Sequence, residues 1–531
     1  MDGNETNKLV KGALLLTLAG LISKVLSAGY RIPLQNLTGD MGFYIYQQVY
    51  PFLGIALILS LYGFPSAISK ITVDLKAQGM GPSFARFYVP IFLLLFSISS
   101  GIFLFLFFNA QEIAVWVGDA NLKDTYELAA FAFLLIPFSA LLRGVFQGMK
   151  QMKPTAYSQV GEQFIRVFLI ILAAVFIFIK SGDIYSIGQA AAIASLFGAL
   201  AAIFILGFFF IRMKPTVNQH FDIPWNYYIS TLLIFGMIAA LNHMLLIIIQ
   251  FADTFTLVPG LMEHGLSDVD AMEAKGVFDR GQPLIQLGTV LGSSFALALI
   301  PTISRRKLDS DPKAFHAYIE SALVVSFYLA IGATIGLIII FPEANTLLFQ
   351  NGKGTASLQI LVISIFLSSI AITAASILQG LGYIKRTAGF ILVAFFIKWI
   401  TNQALVPLFG IMGSAIATVF SLTILAVLML LALKRKLPNL KVEKHINWRA
   451  FTIAATGMII YIFLIDNLLP GSSSRFGLLL YVLFVVITGA LLYIILLLRF
   501  RAFTNQEISM LPLVPILTRI HRGREYSGKQ D

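Results

Sequence analysis

Cysteine is missing from all 531 positions, which excludes structural disulfides and thiolate metal sites. The six histidines are scattered, with no H-x-x-H or H-E-x-x-H spacing, so no metal centre is expected. Charged residues make up only 12% of the chain, against about a quarter in soluble domains. Acids are the scarcer sign, 26 against 38 bases. No P-loop, nucleophile-elbow or zinc signature occurs, and the acids are not paired as catalytic dyads. Loops are short and leave little room for an active site, so a transporter is expected rather than an enzyme. Without a Walker motif the chain cannot use ATP on its own. No cofactor is expected, and coupling to membrane potential or to a monovalent ion stays open.

What fills the chain instead is apolar sequence. Hydrophobic residues are 58% of the total and the mean hydropathy is +0.85, the composition of an all-α polytopic membrane protein. Apolar runs of about 20 residues or more predict fourteen transmembrane helices near 9–31, 42–63, 86–108, 125–148, 158–180, 184–211, 227–251, 280–304, 315–341, 357–380, 387–407, 411–433, 448–466 and 476–499. The first run follows a short polar start and is interrupted by Lys24, so it reads as a transmembrane helix and not a cleaved signal. Cations concentrate on alternate connections, such as Lys150 and Lys153, Arg305 to Lys307, and Lys434 to Lys436. By the positive-inside rule both termini are cytoplasmic. These cations flank membrane spans, so the net charge of +12 does not imply nucleic acid.

The chain also carries a partial copy of itself, displaced by 232 residues. Phe146-Gln147-Gly148-Met149-Lys150-Gln151-Met152-Lys153-Pro154-Thr155-Ala156 reappears as Leu378-Gln379-Gly380-Leu381-Gly382-Tyr383-Ile384-Lys385-Arg386-Thr387-Ala388, and Arg166 falls on Lys398 in the same register. A period of six helices makes the two copies parallel, related by an axis along the membrane normal. The expected organisation is an N-lobe at 1–212, a linker at 213–226, a C-lobe at 227–434, two extra helices within 435–500 and a basic cytoplasmic tail at 501–531 lying on anionic lipid. Helices 13 and 14 lack charge between Thr452 and Ile465 and between Phe476 and Leu498. The outer connection from Asp253 to Asp279 is expected to be a solvated loop.

Charged side chains at bilayer depth are costly and face a cavity or a partner. Lys24 and Arg31 lie two helical turns apart on one face of span 1; an interfacial anchor is the alternative for Arg31. Glu162 and Arg166 are spaced i,i+4 and can neutralise each other, either as a structural pair or within a site. Lys398 has no acid within four residues and needs a distant partner, water or an anion. As repeat mates, Arg166 and Lys398 are expected to approach each other across a central cavity. Asp253 ends span 7, and Asp279-Arg280-Gly281-Gln282-Pro283-Leu284 opens span 8 with a helix start or break suited to phosphate. Asn242 and His243 are expected to be satisfied packing contacts.

These features resemble the multidrug/oligosaccharidyl-lipid/polysaccharide (MOP) exporter superfamily. Ile22-Ser23-Lys24-Val25-Leu26, Phe278-Asp279-Arg280-Gly281-Gln282-Pro283-Leu284 and Leu299-Ile300-Pro301-Thr302-Ile303-Ser304 are similar to its polysaccharide transporter branch, which holds the stage V sporulation protein B group and the lipid II flippases. The resemblance implies movement of an undecaprenyl-diphosphate-linked sugar from inner to outer leaflet. It places Lys24, Arg31, Asp279 and Arg280 around a central cavity and makes helices 13 and 14 a lipid-tail groove. The cation that lipid II flippases carry in span 2 is lacking between Pro51 and Gly63, which leaves the glycan open. The expected partners are a lipid-linked glycan and membrane lipids. An ion-coupled drug exporter of the same fold, or a non-transporting partner of cell-wall synthesis, remain as alternatives.

Overall fold

Runs with no charge and no neighbouring water satisfy their backbone only as helices, and the computed structural model of the chain is helical throughout its membrane-length elements. It describes residues 3–180, 182–213, 222–299, 312–469 and 474–508. The middle of the expected linker, the end of span 8 with Pro301 to Arg305, and most of the basic tail lie outside the described residues.

Among the described residues, twelve helical stretches are long and apolar enough to cross a membrane. The first, Leu15–Ala77, is 63 residues long, about 95 Å of helix and enough for two crossings. It is broken at Gly39, whose φ of 69° and ψ of −172° are not helical. A further helix, Gly281–Leu299, runs to the edge of the described residues. Fourteen spans are compatible with this pattern. The outer connection expected as a loop is helical instead: Leu245–Glu263 continues well past Asp253, and Asp268–Asp279 is a helix burying Ala271, Met272 and Lys275. Small and apolar residues on one side of that segment let it pack, where a loop would leave them wet.

The repeat is visible in backbone geometry. After Gly148, the N–H groups of Lys150 and Gln151 bond to Gln147 O and Phe146 O at 2.9 and 2.8 Å. After Gly380, those of Gly382 and Tyr383 bond to Gln379 O and Leu378 O at 2.9 and 2.8 Å. Lys150 and Gly382, mates in the repeat, both have positive φ, 61° and 91°. The same Schellman closure thus ends a helix and aims the next one twice.

By packing, the chain forms two units, Met1–Asp279 with Ile384–Ser414, and Arg280–Tyr383 with Ala415–Asp531. In the first, the Ile136–Gly148 helix lies tight against Phe64–Ala77. A Cβ on Gly144 would stand 2.5 Å from Ile68 Cβ, and one on Gly148 2.6 Å from Thr72 Cβ. Two glycines four apart permit that backbone approach. In the second unit, the helices Trp448–Leu468 and Arg475–Arg499 share a core with Pro312–Ile339, centred on Tyr328, Met458 and Tyr493. Their outward faces carry exposed Phe463, Leu464, Phe476 and Phe484, suited to lipid.

Candidate functional site

Glu162 and Arg166 sit one turn apart on the Met152–Lys180 helix and form the expected pair, Arg166 Nη2 to Glu162 Oε1, at 3.0 Å. A third member was not expected. Arg143 is fully buried, and its Nη2 donates to Glu162 Oε2 at 2.7 Å. Its Nε reaches Ser158 Oγ at 3.1 Å and its Nη1 reaches Ser60 Oγ at 3.1 Å. The sequence does signal it: an arginine stands inside an apolar run, directly before the Gly144 and Gly148 contact. Gly198 seals the other side, since a Cβ there would lie 2.8 Å from Glu162 O.

Arg31 is buried, so the anchor reading does not describe it. It opens the Arg31–Ile58 helix after a turn at Tyr30, and its guanidinium lies over Tyr50 at 4.0 Å from the ring centroid. None of its three side-chain nitrogens makes a hydrogen bond of good geometry with the protein. Tyr30, Tyr46, Tyr50 and Arg166 line a cavity of about 20 Å³, room for a single water.

Lys398 has the distant partner it needed. Its Nζ lies 2.8 Å from Asp253 Oδ1 and donates to Ser414 O at 2.8 Å and Ser414 Oγ at 2.9 Å. Asn402, one turn on, donates to Asp253 Oδ1 and Thr256 Oγ1, each at 2.8 Å. Asp253 is therefore not a span end but the buried centre of an oxygen-rich cluster.

Asp279 and Arg280 separate into different surroundings. Asp279 accepts from Lys275 Nζ at 2.7 Å, one turn earlier on its own helix. Arg280 is the turn between the Asp268–Asp279 and Gly281–Leu299 helices, so a helix does begin at Gly281. It is buried, donates through Nη1 to Asn351 Oδ1 at 2.7 Å, and lies over Phe349. Lys24 differs from all of these: its side chain is exposed on the Gly3–Gly29 helix while protein encloses it at longer range.

Among the described residues of the first unit, five buried cations (Arg31, Arg143, Arg166, Lys275, Lys398) stand against four buried carboxylates (Asp119, Glu162, Asp253, Asp279), an excess of one. No group of His, Cys, Asp and Glu able to hold a metal occurs among the described residues.

Membrane-length helices that enclose a set of buried charged groups are compatible with a transporter. The solved structure of lipid II flippase MurJ in an inward closed conformation superposes with a TM-score of 0.67 at 15% identity, covering 91% of this chain and 98% of that one. That likeness gives the fold, which is the MOP fold. Residues 9–307 match the family described as polysaccharide biosynthesis protein, and the chain belongs to that family. The uncharacterized membrane protein YabM of Bacillus subtilis (strain 168) is 39% identical over 98% of this chain and 97% of its own length. Lipid II flippase MurJ of the same organism is 24% identical over 78% of this chain and 80% of its own. This chain is a multi-pass membrane transporter.

Proposed function

We propose that the protein moves a polyprenyl-diphosphate-linked saccharide from the inner to the outer leaflet by alternating access. The observation that carries this reading is Arg31, a guanidinium buried in the protein over Tyr50 whose nitrogens make no hydrogen bond of good geometry among the described residues. A buried cation with no directly bonded carboxylate is costly and is relieved by an anion. The excess of one buried cation in the same unit favours an anionic ligand, of which a diphosphate is one. Lys24, Arg31, Glu162, Arg166, Asp253, Asp279, Arg280 and Lys398 are the residues assigned to substrate movement, with Arg143 and Lys275 holding the carboxylates. Both termini are read as cytoplasmic, with the lipid tail beside the last two helices. Similarity to a lipid II flippase supports a cell-envelope precursor as cargo. A cationic drug fits less well, because Glu162, Asp253 and Asp279 are each occupied by a cation of the protein. Moving net charge would couple transport to the potential, at about 2.3 kcal/mol per charge per 100 mV.

Leaflet-specific labelling of lipid-linked precursors in cells depleted of the protein tests this reading. Retention of a precursor in the inner leaflet is expected. Unchanged distribution of every diphosphate-linked precursor, with no paralogue present, would overturn it.

A further inference from the structure

Two backbone irregularities in the first unit meet at one pair of rings. The span after Gly39 carries a π-helical turn, Leu59–Gly63. The seventh expected span is interrupted at Met244, between the helices Met237–His243 and Leu245–Glu263. Such departures inside membrane helices recur where a cavity is lined. Tyr62 lies in the first and His243 ends the helix before the second. Their rings stack with centroids 4.2 Å apart and planes 15° apart.

The surroundings are polar. Asn242 is a packing residue as expected, donating to Ile238 O at 2.8 Å and Ile384 O at 3.1 Å. His243 packs on the Tyr62 ring yet is exposed, and its ring nitrogens show no hydrogen bond among the described residues. An imidazole with an unmet donor and acceptor is poorly placed against hydrocarbon, so this face is wet. Gln159 Nε2 donates to the Tyr62 hydroxyl at 3.3 Å, which leaves the phenol proton to donate onward. Gln159 is itself buried, and its Oε1 has no partner. Gly20 leaves room here, since a Cβ would stand 3.7 Å from both Gln159 Nε2 and Tyr62 Oη. One turn along the same helix face is Lys24, whose charge reaches His243.

An exposed flat ring backed by a phenol, beside a hydroxyl donor, an amide acceptor and an ammonium, suits a pyranose attached to a phosphate. Resting on the diphosphate-lipid reading above, we infer that Tyr62 and His243 form the platform on which the first sugar of the cargo lies. Its C–H face sits on the imidazole, whose π-face is electron-rich. Gln159 and Tyr62 take the sugar's polar groups, and Lys24 takes the adjoining phosphate as a point charge.

The test is binding to the purified full-length protein in lipid nanodiscs. One probe is a polyprenyl diphosphate bearing an N-acetylhexosamine, the other the same polyprenyl diphosphate without sugar. His243→Ala should weaken the glycosylated probe by ~10-fold, equal to about 1.4 kcal/mol, and leave the bare one within ~2-fold. Tyr62→Phe should do the same more weakly, and Lys24→Gln should weaken both. His243→Phe keeps the stack and serves if the alanine variant does not fold; it should retain part of the preference. Equal effects of His243→Ala on the two probes, or none, would overturn the platform and leave the diphosphate reading standing. A wild-type protein that binds neither probe would remove both.

Discussion

Arg143 and Arg166 hold opposite oxygens of one carboxylate, Glu162 Oε2 at 2.7 Å and Oε1 at 3.0 Å. Three charges from two helices are therefore tied at a single buried point. Glu162→Gln should leave two guanidiniums uncompensated and lower stability by about 3–5 kcal/mol. Adding Arg143→Gln should recover part of that loss, because one stranded cation is removed. Thermal unfolding of the two variants in detergent measures this, and a Glu162→Gln protein as stable as wild type would show that the triad does not hold the helices together.

A second prediction concerns how the Asp268–Asp279 helix is seated. Gly276 meets the chain at Asp40 so closely that a Cβ would lie 2.1 Å from Asp40 O. Backbone cannot yield as a side chain can, so Gly276→Ala should push this helix off the Arg31–Ile58 helix. Overpacking of this kind costs about 1–3 kcal/mol. The same shift should expose the Lys275–Asp279 pair, which is now buried. Faster hydrogen exchange across 268–279, with the rest of the chain unchanged, is the expected readout.

Much of this architecture was legible in the sequence, and the reason is physical. Hydrocarbon forces backbone into helices, so apolar runs gave their positions directly. The repeat marked two turns whose hydrogen bonds match atom for atom at Lys150 and Gly382. Glu162 and Arg166 were legible because a helix places i and i+4 side by side. Lys398 was legible as a costly charge, but its partner Asp253 lies on another helix and only tertiary packing brings them together. Arg143 went unread because its acid is also non-local. Asp279 was read with its neighbour Arg280, whereas the helix pairs it with Lys275 one turn away. His243 reads as packing beside Asn242, and it does stack on Tyr62, but its exposure becomes visible only in the fold.

Arg280 offers a test of charge against shape. Its fork is fixed by Asn351 Oδ1 at 2.7 Å and by the Phe349 ring. Arg280→Ala should abolish transport while protein amount and membrane insertion stay near wild type. Arg280→Lys should restore activity only in part, since an ammonium lacks the planar fork. Asn351→Ala keeps the charge but frees its orientation and should fall between the two. Complementation of a depleted strain ranks them, and full activity of Arg280→Ala would remove this residue from the site.

The Asp253–Lys398 pair separates a structural role from a transport role. Each single neutralisation strands a buried charge: Lys398→Gln leaves the Asp253 carboxylate, and Asp253→Asn leaves the ammonium among Ser414 and Asn402. Either should cost about 3–5 kcal/mol. The double variant removes both charges and keeps hydrogen-bonding groups in place, so its stability should return close to wild type. If the pair only packs helices together, that double variant transports normally. If Lys398 is one of the cations that meet the cargo, as proposed here, the double variant is stable yet inactive. We expect the second outcome, read by melting curves beside leaflet-specific labelling, and a stable, active double variant would assign the pair to architecture alone.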